Sequence, residues 1–169
     1  MNKETFAGLV IDSTDSLYRV SKSILRNDSD CEDAVGEAIT IAFKKLDSLK
    51  KDEYAKTWLI RILIHECYHI RRLQSRITLV SDDSEAIWDC ECHGRNNGYA
   101  DVESHSDLYE AMEQLKKNQR LVIVLFYYEG YSIKEIAAIL GITQGAVKSR
   151  LCRARNQLKL LLKEMESYV

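Results

Sequence analysis

The segment SIKEIAAILGITQGAVKSRLCRAR, residues 132–155, decides the fold of the C-terminal half of the chain. Ser132–Glu135 fits a capping box, in which a serine hydroxyl and a glutamate carboxylate satisfy free amides at a helix start. Ala137 suits a close helix crossing, Gly141 suits a left-handed turn, and Val147 would fill the corner between two helices. The spacing predicts a helix-turn-helix.

The second helix of this motif carries the predicted DNA contacts, because its N-terminal end enters the major groove. Thr143 is expected to cap that helix, and the arginines beyond it supply charge for phosphates and guanine edges. The candidate residues are Thr143, Gln144, Gly145, Lys148, Ser149, Arg150, Arg153 and Arg155. A plain helical hairpin with a solvated basic face is the alternative.

Charge is distributed unevenly along the chain, and the distribution favours DNA binding over the plain hairpin. The net charge of −2 divides into 0 over residues 1–75, −5 over 76–104 and +3 over 105–169. Between Ile136 and Lys163 there are six basic residues and no acidic residue. A phosphate backbone responds to this local field and not to the net charge of the whole chain.

The chain of 169 residues contains no proline, which favours helices joined by short turns. Apolar periodicity predicts three helices, an acidic linker and four further helices, and Ser29–Glu32 matches a second capping box. The predicted helices span residues 3–26, 29–46, 54–74, 107–115, 118–128, 133–140 and 143–165. We therefore predict an all-α fold with two small domains, 1–75 and 105–169, joined by a flexible linker, 76–104.

The remaining composition indicates a cytoplasmic protein. No apolar run reaches eighteen residues, and the N-terminus lacks a basic-then-apolar signal. The five cysteines are an odd number and mostly scattered, so free buried thiols are expected. Cys90, Cys92 and His93 could form a weak metal cluster, although unliganded linker residues are the favoured interpretation.

The segment Ile123–Leu158 resembles domain 4 of the extracytoplasmic-function (ECF) sigma factors of the sigma-70 family. The resemblance is carried by EGYSIKEIAAILGIT and by GAVKSRLCRARNQL. In that family this domain reads the promoter's minus-35 element. A response-regulator-like helix-turn-helix transcription factor is the alternative, but it is similar only over the EIA and LGI parts.

The N-terminal half also resembles that family, over its polymerase-binding motif. Asp30–Glu37 is similar to the acidic domain 2 motif that docks on the clamp helices of the polymerase β′ subunit. Between Asp28 and Glu37 there are five acids and no base, a suitable counter-surface for a basic partner. The residues implied are Asp30, Glu32, Asp33, Val35 and Glu37. A solvated acidic helix start is the alternative.

Lys56–Ile64 resembles the segment with which the family melts and reads the minus-10 element. Unstacked bases would meet apolar or aromatic surface there, while phosphates meet Lys or Arg. The residues implied are Lys56, Trp58, Arg61, His65, Arg71 and Arg72, although Trp58 also suits a core position. The family usually has Asn at His65 and often Asp at His69, so base reading around these two positions is left open.

His65, Glu66 and His69 form a literal H-E-x-x-H, the pattern of a zinc metallopeptidase. The extended H-x-x-G-x-x-H pattern is absent, and Arg71 and Arg72 would oppose a bound dication. We find no other catalytic arrangement, so neither enzymatic activity nor a cofactor or metal is expected.

The resemblance therefore implies an RNA polymerase sigma factor that directs promoter-specific transcription initiation, while the polymerase supplies the chemistry. The implied partners are the polymerase core, through its β′ clamp helices and β flap, and promoter DNA. Family members are commonly held by a membrane-anchored anti-sigma factor and released in an envelope or environmental stress response. The acidic linker would lead toward the RNA path of the polymerase.

Overall fold

The computed structural model describes residues 1–78 and 106–166, and in these ranges the chain forms helices and turns without a strand. The α-helices are α1 Lys3–Ile24, α2 Asp28–Lys44, α3 Ala55–Thr78, α4 Ser106–Gln114, α5 Lys117–Ile123, α6 Ile133–Leu140 and α7 Gln144–Glu166. Single 3-10 turns at Leu46–Ser48 and Asp52–Tyr54 connect α2 to α3. The all-α prediction is confirmed.

The end of α3 extends four residues beyond the predicted Gln74, into the start of the predicted linker. The rest of that linker, including Cys90, Cys92 and His93, lies outside the described residues. The predicted flexibility of 76–104 and the weak metal cluster within it therefore stay predictions.

The start of α2 differs from the prediction. The side chain of Asn27 accepts a hydrogen bond from the Ser29 amide at 2.9 Å, and the helix begins at Asp28. Ser29 therefore lies inside the first turn, and the Ser29–Glu32 capping box was wrong. Both residues suit an N-cap position, and the earlier of the two is used because its carbonyl already accepts the Cys31 amide.

Helices α1, α2 and α3 form the N-terminal bundle. Phe6, Leu17, Leu59 and Leu63 are fully buried at its centre. The completely buried positions of α2 are all small, because Cys31, Ala34, Ala38 and Ala42 follow one another at helical spacing. Such a face allows the backbones of α1 and α3 to pack closely against α2.

The buried thiols agree with the prediction of inert cysteines in this bundle. Burial raises the pKa of Cys67 to about 12 and also raises the pKa of Cys31. A thiol that is protonated at neutral pH is a poor nucleophile. Cys152 differs from these two, because it is exposed on α7.

Helices α4 to α7 form the C-terminal bundle, around Leu121, Leu125, Ile136 and Leu151. The sequence predicted an α-helix over residues 118–128, but α5 is α-helical only as far as Ile123. It widens into a π-helical segment, Val124–Tyr128, and the chain then turns at Gly130, whose φ is +72°. Wide turns of this kind are rare and occur mostly at functional positions.

The two bundles are in contact. Helix α1 packs against α5 and the π-helical segment, and α3 packs against α6. The Tyr68 hydroxyl of α3 donates to the Asn118 side chain of α5 at 3.2 Å. The described part of the chain therefore forms a closed arrangement of two small bundles.

Candidate nucleic-acid and polymerase interfaces

The turn of the helix-turn-helix has the predicted local chemistry. The Glu135 amide donates to the Ser132 hydroxyl, and the Glu135 carboxylate accepts from the Ser132 amide at 2.8 Å. Bonds from the Ser132 side chain and backbone hold the pKa of Glu135 below its ordinary value. Gly141 ends α6 with a φ of +65°, and the Ile142 amide donates back to the Ala137 carbonyl. Val147 is fully buried, as a corner residue should be.

The N-terminal end of α7 is open to solvent. The Thr143 hydroxyl accepts a hydrogen bond from the Ala146 amide at 3.1 Å, so Thr143 caps the helix as predicted. Gln144, Gly145, Lys148 and Ser149 are exposed in the following turns. One turn later, Arg153 is exposed and its guanidinium donates to the Ser149 carbonyl at 3.3 Å. This face offers polar and basic groups without a nearby acid.

The other two arginines of the predicted set differ in their positions on α7. Helical spacing places Arg155 on the side of α7 that carries Gln144 and Lys148, two turns beyond Lys148, and places Arg150 on a different side. Arg155 borders a groove of the C-terminal bundle. Arg150 is half-buried, and its charge lowers the pKa of Tyr68 on α3, which burial raises by a larger amount. Arg150 therefore lies beside the N-terminal bundle in the closed arrangement.

The predicted minus-10 residues divide into two groups on α3. Arg61, His65 and Arg72 are exposed, and their spacing places them on one face of the helix. Lys56 and Arg71 lie on another side, where Lys56 pairs with Glu129 at 3.7 Å. Arg71 donates to the carbonyl of Ile24 at 3.0 Å, at the end of α1.

Trp58 is partly buried in the N-terminal bundle. Its ring meets Phe6 edge-on, with the ring centroids 6.2 Å apart. Phe6 is itself fully buried and also contacts Phe43. Trp58 therefore serves the packing of the bundle, while its remaining exposed surface borders the face that carries Arg61 and His65.

The H-E-x-x-H residues lie close together on α3. The Glu66 carboxylate lies 3.1 Å from Nδ1 of His65 and 3.8 Å from Nδ1 of His69. Within residues 1–78 and 106–166 no group of three His, Cys, Asp or Glu side chains is placed to hold a metal ion. The zinc peptidase interpretation is not favoured.

The acidic residues of α2 form an outward surface. Glu32, Asp33 and Glu37 are exposed on the side of α2 away from the buried alanines. Asp30 is half-buried and accepts a hydrogen bond from the Gln74 side chain at 2.8 Å, and Val35 is packed partly into the core. Three of the five predicted polymerase-binding residues are thus free to meet a partner directly.

Sequence reasoning missed the contacts between the bundles, which centre on Glu129. It also missed an open groove of the C-terminal bundle, lined by Leu108, Met112, Ile123, Tyr127, Tyr128 and Leu158. Tyr127 and Tyr128 are more than half exposed. Two adjacent exposed tyrosines were the available signal, because contiguous exposed apolar surface is typical of a contact site.

Two family models match the chain, in the order that its two bundles require. "Sigma-70 region 2" matches residues 9–77, and "Sigma-70, region 4" matches residues 105–158. Among the described helices, none combines the length and the apolar character that crossing a bilayer demands.

Relatives agree over nearly the whole chain. RNA polymerase sigma factor SigV of Bacillus subtilis is 28% identical over 164 residues, which is 95% of each chain. ECF RNA polymerase sigma factor SigM of Mycobacterium tuberculosis is 31% identical over 147 residues, which cover 86% of this chain and 71% of the relative.

Two solved structures resemble the chain. The sigma factor RpoE of Bartonella quintana, in complex with the anti-sigma factor NepR, has a TM-score of 0.75 at 31% identity and covers 95% of this chain and 98% of its own. CnrH, in complex with the cytosolic domain of CnrY, has a TM-score of 0.68 at 25% identity and covers 96% and 90%. With a helix-turn-helix, an outward acidic helix and both matching regions in order, the chain belongs to the ECF sigma factors of the sigma-70 family.

Proposed function

We propose that the exposed start of α7 reads the minus-35 element for this RNA polymerase sigma factor. The observation that carries the proposal is the capped, acid-free end of α7 immediately after the left-handed Gly141. Gln144, Lys148 and Ser149 would meet base edges, and Arg153 would meet a phosphate or a guanine. Arg155, on the same side of α7 as Lys148, and Arg150, on a different side, would bind the phosphate backbone.

The minus-10 element would meet α3. Arg61, His65 and Arg72 form an exposed strip along which a single strand could run, with the edge of Trp58 beside it. Lys56 pairs with Glu129 of the other bundle and would be freed when the bundles separate, whereas Arg71 contacts the Ile24 carbonyl within its own bundle. A neutral histidine at position 65 offers one donor and one acceptor nitrogen on its ring, whereas the amide usual in the family offers two N–H donors and a carbonyl acceptor.

The polymerase core would bind through α2 and through the C-terminal bundle. Glu32, Asp33 and Glu37 are exposed and would face basic residues of the β′ clamp helices, with Asp30 and Val35 supporting them from the rim. The domains would be 1–75 for polymerase and minus-10 binding and 105–169 for minus-35 and β flap binding. The acidic residues 76–104 would connect them.

The setting of this activity is also a proposal. The two structurally similar sigma factors were solved with an anti-sigma factor or with the cytosolic domain of CnrY. We propose that this chain works in the cytoplasm, is held by a membrane-anchored anti-sigma factor, and is released in an envelope or environmental stress response.

Transcription in vitro tests the proposed function. Purified chain and core polymerase would be incubated with genomic fragments, and the transcript start sites would be mapped. We expect a set of start sites that share upstream elements and that depend on the added chain. Absence of chain-dependent starts would contradict the proposal.

The assignment of the α2 surface needs a separate test. Asp33→Lys with Glu37→Lys should reduce binding to core polymerase by at least about tenfold in a competition assay, because two favourable charges become repulsive. Glu4→Lys changes an exposed acid of α1 and serves as the control. Equal loss in both variants would reject the assigned surface.

A further inference from the structure

A buried carboxylate joins the two bundles. The side chain of Glu129, at the end of the π-helical segment, is only 3% exposed. The Ser16 hydroxyl of α1 donates to one carboxylate oxygen, and the Arg19 guanidinium lies 2.5 Å from the other. The ammonium group of Lys56 on α3 lies 3.7 Å from the same carboxylate. Two helices of the N-terminal bundle thus supply three polar groups to one acid of the other bundle.

A second set of contacts lies two turns further along α1. The buried guanidinium of Arg120 on α5 donates to the Ser23 carbonyl at 2.9 Å. Arg26 reaches in the opposite direction and donates to the Glu113 carbonyl at 2.7 Å, with its Nε 3.5 Å from the Glu113 carboxylate. Ser16, Arg19 and Ser23 repeat at helical spacing on α1, and Arg26 follows just beyond the end of that helix, so α1 and its C-terminal extension serve both sets.

We propose that these two sets of contacts form an interdomain clasp that holds the free factor closed, and that the clasp must open before both promoter elements are bound. The clasp consists of Glu129 with Ser16, Arg19 and Lys56, and of Arg120 with Ser23. The proposal rests on the DNA-contacting residues proposed above.

The closed arrangement is incompatible with promoter binding for two reasons. One proposed contact residue for each promoter element faces the other bundle. Lys56 of the minus-10 set pairs with Glu129, and Arg150 of the minus-35 set lies beside Tyr68. The closed arrangement also places α3 against α6, whereas elements named minus-10 and minus-35 are roughly 25 base pairs apart, more than two turns of about 34 Å each. The reading helices α3 and α7 cannot span that distance while α3 packs against α6, the helix that precedes α7 in the helix-turn-helix.

The chemistry of the clasp suits a contact that opens. Its members are charged and polar groups, and water can replace their partners when the bundles separate. Arg19 and Lys56 are each more than two-fifths exposed, so their ion pairs contribute modestly.

Core polymerase is the partner that would open the clasp. The acidic face of α2 is exposed in the closed arrangement, so the polymerase has a surface to bind first. A partner that binds both bundles at separated sites favours the open form by its difference in affinity for the two forms. An inhibitor that recognises the closed form would shift the same equilibrium in the opposite direction.

Arg19→Glu in the full chain tests the clasp, because it opposes Glu129 with a second acid and alters no proposed DNA contact. Small-angle X-ray scattering should show a larger radius of gyration than wild type. Binding to a fluorescent promoter fragment, taken from the mapped start sites, should tighten by about tenfold if nine molecules in ten are closed. Loss of a positive charge alone would weaken DNA binding, so the expected sign is opposite to simple electrostatics.

Lys3→Glu provides the matched control, because it makes the same charge change at an exposed position of α1. It should leave the radius of gyration unchanged and weaken DNA binding slightly. Glu129→Gln, which keeps the shape of the side chain, should expand the chain less than Arg19→Glu. Circular dichroism should show that the helix content of each variant is retained.

Two results would overturn the proposal. An unchanged radius of gyration in both Arg19→Glu and Glu129→Gln would show that the clasp does not hold the bundles together. Expansion of the chain without tighter DNA binding would show that closure does not inhibit DNA binding. Adding Arg153→Ala to the Arg19→Glu variant tests the DNA-contacting residues separately. If Arg153 contacts DNA, the added change weakens DNA binding even where closure does not inhibit it. If the DNA-contacting residues are wrongly assigned, the added change leaves DNA binding unaffected.

Discussion

Arg120 of the C-terminal bundle places its Nε 2.9 Å from the carbonyl oxygen of Ser23, in the last turn of α1. The last carbonyls of a helix have no partner within it, and a guanidinium satisfies them with charge of the favourable sign. Burial lowers the pKa of Arg120, and the nearby Glu113 carboxylate opposes that shift. Arginine nevertheless stays protonated in proteins. One bundle thereby caps a helix of the other.

Arg153→Ala should weaken binding of the opened Arg19→Glu chain to a minus-35 duplex. A direct base contact would contribute about 1–3 kcal/mol, and a phosphate contact would instead reduce the salt dependence of the affinity by about one counterion. Affinity measured at several salt concentrations distinguishes the two. Lys159→Ala, at an exposed position further along α7, is the control. If both variants lose the same affinity, the face around Ser149 is not the reading surface.

Gly141→Ala should destabilise the C-terminal bundle by about 1–2 kcal/mol, because a Cβ is disfavoured at a φ of +65°. The space around the residue is open, so the cost comes from backbone strain and not from a clash. Gly8→Ala, in the middle of α1 with open space around it, should be neutral or stabilising. Urea unfolding of the two variants checks the contrast, and a stable Gly141→Ala protein would argue against the left-handed turn.

Asn27→Ala should cost about 1 kcal/mol of stability, because it removes the side-chain bond to the Ser29 amide. Ser29→Ala should cost much less, since Ser29 lies inside the first turn of α2 and alanine favours helix. Thermal unfolding of both variants measures the difference. The reverse order would restore the capping box that the sequence suggested.

Glu135→Gln should make unfolding less dependent on pH in the acid range. The pKa of Glu135 is held below its ordinary value in the folded chain, so its charge adds stability above the unfolded pKa of about 4.5. That stability is lost as the pH falls through the lower folded value. The wild type should therefore exceed Glu135→Gln in stability at pH 7, and the gap should narrow toward pH 3. A gap of constant size would contradict the capping-box bond.

The parts of this fold that sequence predicts are those built from neighbouring residues. The turn around Gly141 depends on caps and spacings within about fifteen residues, and each has a recognisable residue type. The choice between Asn27 and Ser29 as a cap could not be made, because both residue types suit the position. The helical period predicts which residues of α3 share a face. It does not predict which of those faces meets the other bundle.

Contacts between the bundles were beyond sequence reasoning for a different reason. Ser16 and Glu129 are separated by 113 positions, and no local pattern links them. The available hint was the small size of Ser13, Ser16, Ser21 and Ser23 on a helix whose other buried residues are apolar. Small polar residues at that spacing indicate a packed surface without identifying what packs there.

The wide turn Val124–Tyr128 accommodates one extra residue without rotating the chain that follows it. A π-helical turn takes up one residue more than an α-helical turn over a similar path. In a regular α-helix one added residue would instead rotate everything beyond it by about 100° about the helix axis. Deleting one residue from Val124–Tyr128 should therefore return the segment to α-helical form and leave Glu129 directed toward α1. The chain carries its extra residue at a point where the contact between the two halves of the molecule is preserved.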